Sequence, residues 1–189
     1  MTRLWLVRHG PTHAKAMVGW SDIPADLSDE PALWRLRDYL PDAPVVSSDL
    51  QRAVATADAL QPTARLPDDA ALREINFGAW EMRTFTEVEA EDPKTIRAYW
   101  DSPGDIAPPH GESWNAVCRR VSGAIDGYLA QGLPDLIIVA HFGAILTQLQ
   151  RAKGISGYQA FGHRIDNLSV TELGYDGRQW SVGAINHRP

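Results

Sequence analysis

The chain has 189 residues, enough for one domain of roughly 100–200 residues with a sizeable core. Its 18 Lys and Arg against 24 Asp and Glu give 18 − 24 = −6, which excludes a basic nucleic-acid footprint and requires any anion site to be a local Arg cluster. The single cysteine, Cys118, excludes an internal disulfide framework and fits a reducing compartment. No apolar run approaches the roughly 20 residues of a spanning helix, and Met1-Thr2-Arg3 leads into a strand and not into a signal peptide, so the chain reads as soluble and cytoplasmic, with no membrane partner.

In chain order, Arg3–Val7 reads as a buried strand ended by Gly10 and Pro11. Leu33, Trp34, Leu36 and Leu40, spaced among Arg35, Arg37 and Asp38, predict a helix over Pro31–Leu40. Pro44–Ser47 reads as a second short strand. A helix from about Asp49 to Leu60 follows, with Ser48 and Gln51 matching a capping box. The middle, from Pro62 to about Pro109, is loop-rich, with short helices near Phe85–Ala90 and Lys94–Trp100. Val117, Val121, Ala124, Ile125 and Tyr128 share one face of a long helix over Ser113–Ala130, capped by the segment from His110 to Ser113, and Cys118 lies on it as a packing residue. Leu136–Ala140 reads as a strand and Ala144–Arg151 as the helix after it. Asn167–Leu173 and Gln179–Ile185 read as a closing strand pair around Asp176-Gly177. The alternation predicts an α/β three-layer sandwich, a largely parallel central sheet with helices on both faces. Residues 1–189 read as a single domain, with a loop and short-helix cap at about 75–111.

Chemistry gathers at the element boundaries. Arg8-His9-Gly10 sits at the carboxyl end of the first strand, where open α/β sheets bind ligands. Arg holds phosphate or carboxylate in a fork, and His serves as nucleophile or proton carrier near neutral pH. His141-Phe142-Gly143 repeats the arrangement after Leu136–Ala140, so His9 and His141 face one crevice if their strands are neighbours. Arg52 in the first turn of its helix reinforces the anion preference of a helix N-terminus, although a solvated surface Arg is the simpler reading of that position alone. Glu74 lies among aromatics. Placed against Phe77 or Trp80 it would lose solvation and gain the raised pKa of a general acid, whereas an ion pair with Arg73 is the plainer alternative.

Arg8-His9-Gly10-Pro11-Thr12, Ser48-Asp49-Leu50-Gln51-Arg52-Ala53, Glu74-Ile75-Asn76-Phe77-Gly78, Gly111-Glu112-Ser113 and His141-Phe142-Gly143 together resemble the ordered motifs of the histidine phosphatase superfamily, of phosphoglycerate-mutase-like fold. Phe77-Gly78-Ala79-Trp80-Glu81-Met82-Arg83 is most similar to the branch containing α-ribazole phosphatases. The resemblance implies His9 as nucleophile, through a phosphohistidine. It also implies Arg8, Arg52 and His141 around the phosphoryl oxygens and Glu74 as general acid and then base, with no metal and no cofactor. Gly10, Thr12, Lys15, Gly19 and Phe142 would form the substrate side of the site. His9 and His13 are spaced i, i+4, but Gly10 and Pro11 between them argue against a helical metal pair.

Three positions depart from the family pattern. Lys15 stands where many members carry Asn, Asp29-Glu30-Pro31 follow Leu27-Ser28 where a Gly is frequent, and His110 replaces a usual Gly. These bear on the substrate more than on the reaction. The expected activity is a metal-independent phosphomonoesterase acting on a small phosphorylated metabolite. The alternatives are a phosphoglycerate-mutase-type transfer and a non-catalytic phospho-ligand module. About 36 residues separate Glu74 from Gly111, modest for the added cap a mutase usually needs, and a binding module needs neither a nucleophile nor an acid. Trp20, Trp80 and Trp114 are candidates for an apolar mouth, against the plainer reading that they are core. Oligomeric state is not legible.

Overall fold

The computed structural model describes residues 1–189. Strand β1 (Thr2–Arg8) is followed by α1 (Glu30–Tyr39), β2 (Val45–Ser47), α2 (Gln51–Ala59), α3 (Phe85–Glu91), α4 (Pro93–Asp101), α5 (Trp114–Leu129), β3 (Asp135–Ala140), α6 (Phe142–Lys153), α7 (Gly157–Phe161), β4 (Val170–Tyr175) and β5 (Trp180–Val182). Single 3₁₀ turns occupy Ala70–Leu72 and Gly78–Trp80.

The five strands form one sheet in the order β2-β3-β1-β4-β5. The three strands β2, β3 and β1 are parallel, and β4 and β5 add antiparallel pairs at the other side, so the sheet is mixed. Side chains alternate across it, as the two-residue period requires. Leu4, Leu6, Val46, Leu136, Ile138 and Ala140 face one core with Val117, Val121 and Ile125 of α5 and Ile145 and Leu149 of α6. Val7, Val45, Ile137 and Val139 face the other, with Leu36 of α1 and Ala53 and Ala57 of α2. Strands β1, β2 and β3 are therefore apolar on both faces, which is why their runs read as continuous and not alternating. The result is the expected three-layer sandwich.

Two local expectations change. Ser48 and Gln51 do not form a capping box, because α2 begins at Gln51 and its N-cap, Leu50, has no side-chain bond to offer. The Gln51 N–H donates instead to Asp22 Oδ1 at 2.7 Å, while Ser48 Oγ closes a turn by accepting from Leu50 N. Helix α6 starts at Phe142, two residues before the periodic run, so His141 is itself the N-cap residue. The short α7 went unpredicted although Ser156 and Gln159 form a true capping box there.

Candidate active site

Parallel pairing sets Arg8 opposite Ala140, so the next residue on each strand, His9 and His141, enters the same crevice. Their rings lie 5.0 Å apart between centroids. The His9 N–H donates to Ala140 O at 3.1 Å, and Asn167 Nδ2 donates to the His9 carbonyl at 2.8 Å, which pins the residue from two sides. Its ring Nδ1 donates to Gly10 O at 2.7 Å, which leaves Nε2 as the unprotonated nitrogen. Burial, with the charges of Arg52 and Arg8, lowers the His9 pKa to about 3, against the opposing pull of the Gly10 carbonyl. His141 is wholly buried, with no partner on either ring nitrogen. Burial first, then His9, Arg52 and Arg8, hold its pKa well below the usual range.

Two guanidiniums complete the cationic wall. Arg8 ends β1, donates through Nη1 to Ile165 O at 2.6 Å, lies 5.6 Å above the Phe142 ring and leaves its buried Nε unpartnered. Arg52 is 1% exposed in the first turn of α2, so the solvated alternative for it is excluded. It donates through Nη2 to Gly19 O at 2.6 Å and through Nη1 to Ser21 O at 2.9 Å. Unpartnered buried donors cost about 1–3 kcal/mol each, a cost that a bound anion removes.

Glu74 lies against the amino end of α6. Its carboxylate accepts from Gly143 N at 2.9 Å and from Ile75 N at 2.9 Å. Burial pushes its pKa up, opposed by those two backbone donors and by Arg52 and Arg8. Arg73 does not pair with it, but forms a two-pronged ion pair with Asp49 at 2.7 and 2.6 Å.

Among the remaining predicted positions, Gly10 N donates to Thr56 Oγ1 at 3.0 Å within the buried shell. Thr12 is half-buried and Lys15 exposed on the irregular segment 11–29, and Phe142 is half-buried under Arg8. Gly19 has both backbone polar groups engaged, its N–H by Glu81 and its C=O by Arg52. His13 leaves the crevice to pair with Asp26 at 2.7 Å. His110 is exposed with φ of 62°, a left-handed conformation that glycine adopts most easily, which fits the family's preference for Gly there. Trp80 and Trp114 are core residues, 3% and 1% exposed, and Trp114 Nε1 bonds Gln150 Oε1 at 2.7 Å, so neither lines a mouth. Trp20 is exposed, with Nε1 donating to Glu74 O at 2.9 Å and its ring 4.8 Å from the Arg73 guanidinium. Burial pushes the Cys118 thiol up to about 11, in keeping with a packing role.

Residues outside the predicted set hold the site in place. Arg120, on α5, donates to the carbonyls of Ala71, Arg73 and Glu74 and pairs with Glu112 at 2.7 Å. Glu112 in turn accepts from Asn76 N at 3.0 Å. Glu81 gathers the Gly19–Ser21 loop. No spacing rule links these carboxylates to the Gly19–Ser21 loop or to Asn76, which lie 36 or more residues away in sequence.

A family model for the histidine phosphatase superfamily (branch 1) matches residues 4–188. The chain belongs to that superfamily. The bifunctional protein Rv2228c of Mycobacterium tuberculosis is 34% identical over 206 residues, covering 98% of this chain and 54% of its own, so the chain spans about half the length of that relative. The adenosylcobalamin/alpha-ribazole phosphatase of Salmonella typhimurium is 32% identical over 158 residues, 79% of this chain and 78% of its own. The solved structure of Bacillus stearothermophilus YhfR superposes with a TM-score of 0.89 at 26% identity, covering 98% of this chain and 97% of that one. No helix is long and apolar enough to cross a membrane.

Proposed function

We propose that this superfamily member is a phosphomonoesterase that hydrolyses a small phosphorylated metabolite through a phosphohistidine at His9. The observation that carries this reading is the free Nε2 of a neutral His9 beside unpartnered buried donors of His141 and Arg8. His9 Nε2 attacks phosphorus, the P–O bond to the leaving group breaks, and Glu74 gives its proton to the departing oxygen. Arg8, Arg52 and His141 donate to the three equatorial oxygens as charge spreads over them. Glu74, now ionised, takes a proton from water, which attacks the phosphohistidine, and inorganic phosphate leaves with His9 neutral again. Two fixed guanidiniums supply the positive charge, so the proposed reaction needs no metal ion. Gly10, Thr12, Lys15 and Phe142 form the substrate side of this reading, with Gly19 supporting Arg52. The segment 75–111 acts as the cap of a single domain. Trp20, exposed beside Glu74, suits a ring-bearing leaving group, in line with the name of the Salmonella relative.

The test is phosphate release from p-nitrophenyl phosphate in the presence of EDTA, by wild type and His9→Ala. Turnover should survive EDTA and fall by roughly 10³-fold or more without the nucleophile. A folded His9→Ala protein with a wild-type rate would overturn the proposal.

A further inference from the structure

Arg52 reaches the phosphate side of the crevice from a rigid helix, yet two of its five N–H groups point away from it, to Gly19 O and Ser21 O. The orientation of the guanidinium plane is therefore inherited from the loop 19–21, which has no helix or strand of its own. On the opposite side of that loop sits one carboxylate. Glu81 Oε1 accepts from Trp20 N at 2.7 Å and Phe77 N at 3.1 Å. Its Oε2 accepts from Gly19 N at 3.0 Å, Ser21 N at 3.3 Å and Ser21 Oγ at 2.7 Å. The peptide units of the loop are thus strung between an anion that takes their N–H groups and a cation that takes their C=O groups. Gly19 is the residue that lets the two approach, since a Cβ there would overlap Ile75 O and Glu81 Oε1.

We infer that Glu81 is a positioning residue for the phosphate-binding Arg52, acting through the backbone of Gly19, Trp20 and Ser21. This rests on the proposed reading of the crevice as a phosphoryl site. Gln cannot replace Glu81, because either orientation of its amide points an N–H group at loop donors. Each fully formed bond in such a charge-assisted set is among the stronger hydrogen bonds.

The experiment is a double-mutant cycle of Glu81→Gln and Arg52→Lys, read twice: as kcat/KM for p-nitrophenyl phosphate and as calorimetric affinity for inorganic phosphate. Glu81→Gln alone should lower both by on the order of 10-fold, and should cost little in a protein already carrying Arg52→Lys, because contacting groups in one network are non-additive. Ser21→Ala removes only the hydroxyl bond and should give a smaller loss, with the same disappearance beside Arg52→Lys, so the inference does not hang on a variant that folds poorly. A merely structural role would give equal losses in both backgrounds, and that additivity overturns the inference, as does an unaltered Glu81→Gln or a wild type that binds no phosphate. A wild type that binds phosphate without turning over the ester refutes the esterase reading alone, and the binding cycle still decides the role of Glu81.

Discussion

At the scale of single residues, burial moves the two central titrating groups in opposite directions. His9 is driven down to about 3, so it stays neutral, with Nε2 free, across the whole range above pH 4. Glu74 is driven up, so its protonated form persists above the ordinary carboxylate range, and a bound phosphate dianion would push it further by offsetting Arg8 and Arg52. The sign follows. In the proposed reaction the phosphoenzyme forms only with Glu74 protonated, so kcat/KM for an unactivated alkyl phosphate should fall as pH rises through the Glu74 pKa. Protonation of His9 takes nothing away between pH 7 and pH 4. Glu74→Gln should lower kcat/KM by about 10²–10⁴-fold and remove that fall. The ratio of wild-type to Glu74→Gln rates cancels the ionisation of the ester itself. A ratio that stays level from pH 4 to pH 9 would show that Glu74 is not the acid. The pair Arg73–Asp49 illustrates what sequence proximity conceals: the cation next to Glu74 in the chain is held elsewhere, two-pronged, by a residue 24 positions away.

At the scale of elements, the amino end of α6 fixes Glu74. Gly143 offers its N–H to the carboxylate, and its bare Cα leaves room for it. A Cβ at 143 would overlap Glu74 Oε1 and lie 2.9 Å from Ile75 Cδ1, so the carboxylate must retreat. That retreat is roughly 1 Å, and misplacements of that size cost on the order of 10²-fold. Gly143→Ala should therefore lose about that factor in kcat/KM while α6 remains folded, since Ala is the better helix former by about 1 kcal/mol. Gly123→Ala on α5, where nothing lies within 4 Å of the added methyl, should keep the rate and gain stability of up to that amount. Equal rates in the two variants, with matching circular dichroism, would refute the steric role of Gly143. Helices and strands were largely legible because apolar periodicity marks them, but their ends were not. Ser48-Asp49-Leu50-Gln51 and Ser156-Gly157-Tyr158-Gln159 carry the same capping pattern, yet only the second caps a helix. Asp22, distant in sequence, binds Gln51 N and displaces the local solution at the first.

At the scale of the whole molecule, strand order does what no single motif does. Two His-bearing strand ends were legible, but their convergence depends on β1 and β3 being parallel neighbours in register, with β2 bringing α2 and Arg52 alongside. The supports from Glu81, Glu112 and Arg120 were illegible because most of their partners are backbone atoms of loops, which carry no residue signature. The same architecture sets a thermodynamic expectation. A chain of net charge −6 repels anions at long range, so phosphate affinity must come from the converged donors alone. Inorganic phosphate at about 100 times its Kd should stabilise the native state by about 2.7 kcal/mol. For a chain of this size that raises Tm by roughly 5–10 °C. Phosphate also stabilises proteins generically by exclusion from their surface. Arg52→Met separates the two effects, since it keeps the buried apolar stem and removes the guanidinium. Measured against chloride at matched ionic strength, the variant should retain only the generic shift. Equal shifts in both proteins would mean that Arg52 contributes nothing to phosphate binding, and the convergence of His9, His141, Arg8 and Arg52 on one phosphate would be refuted.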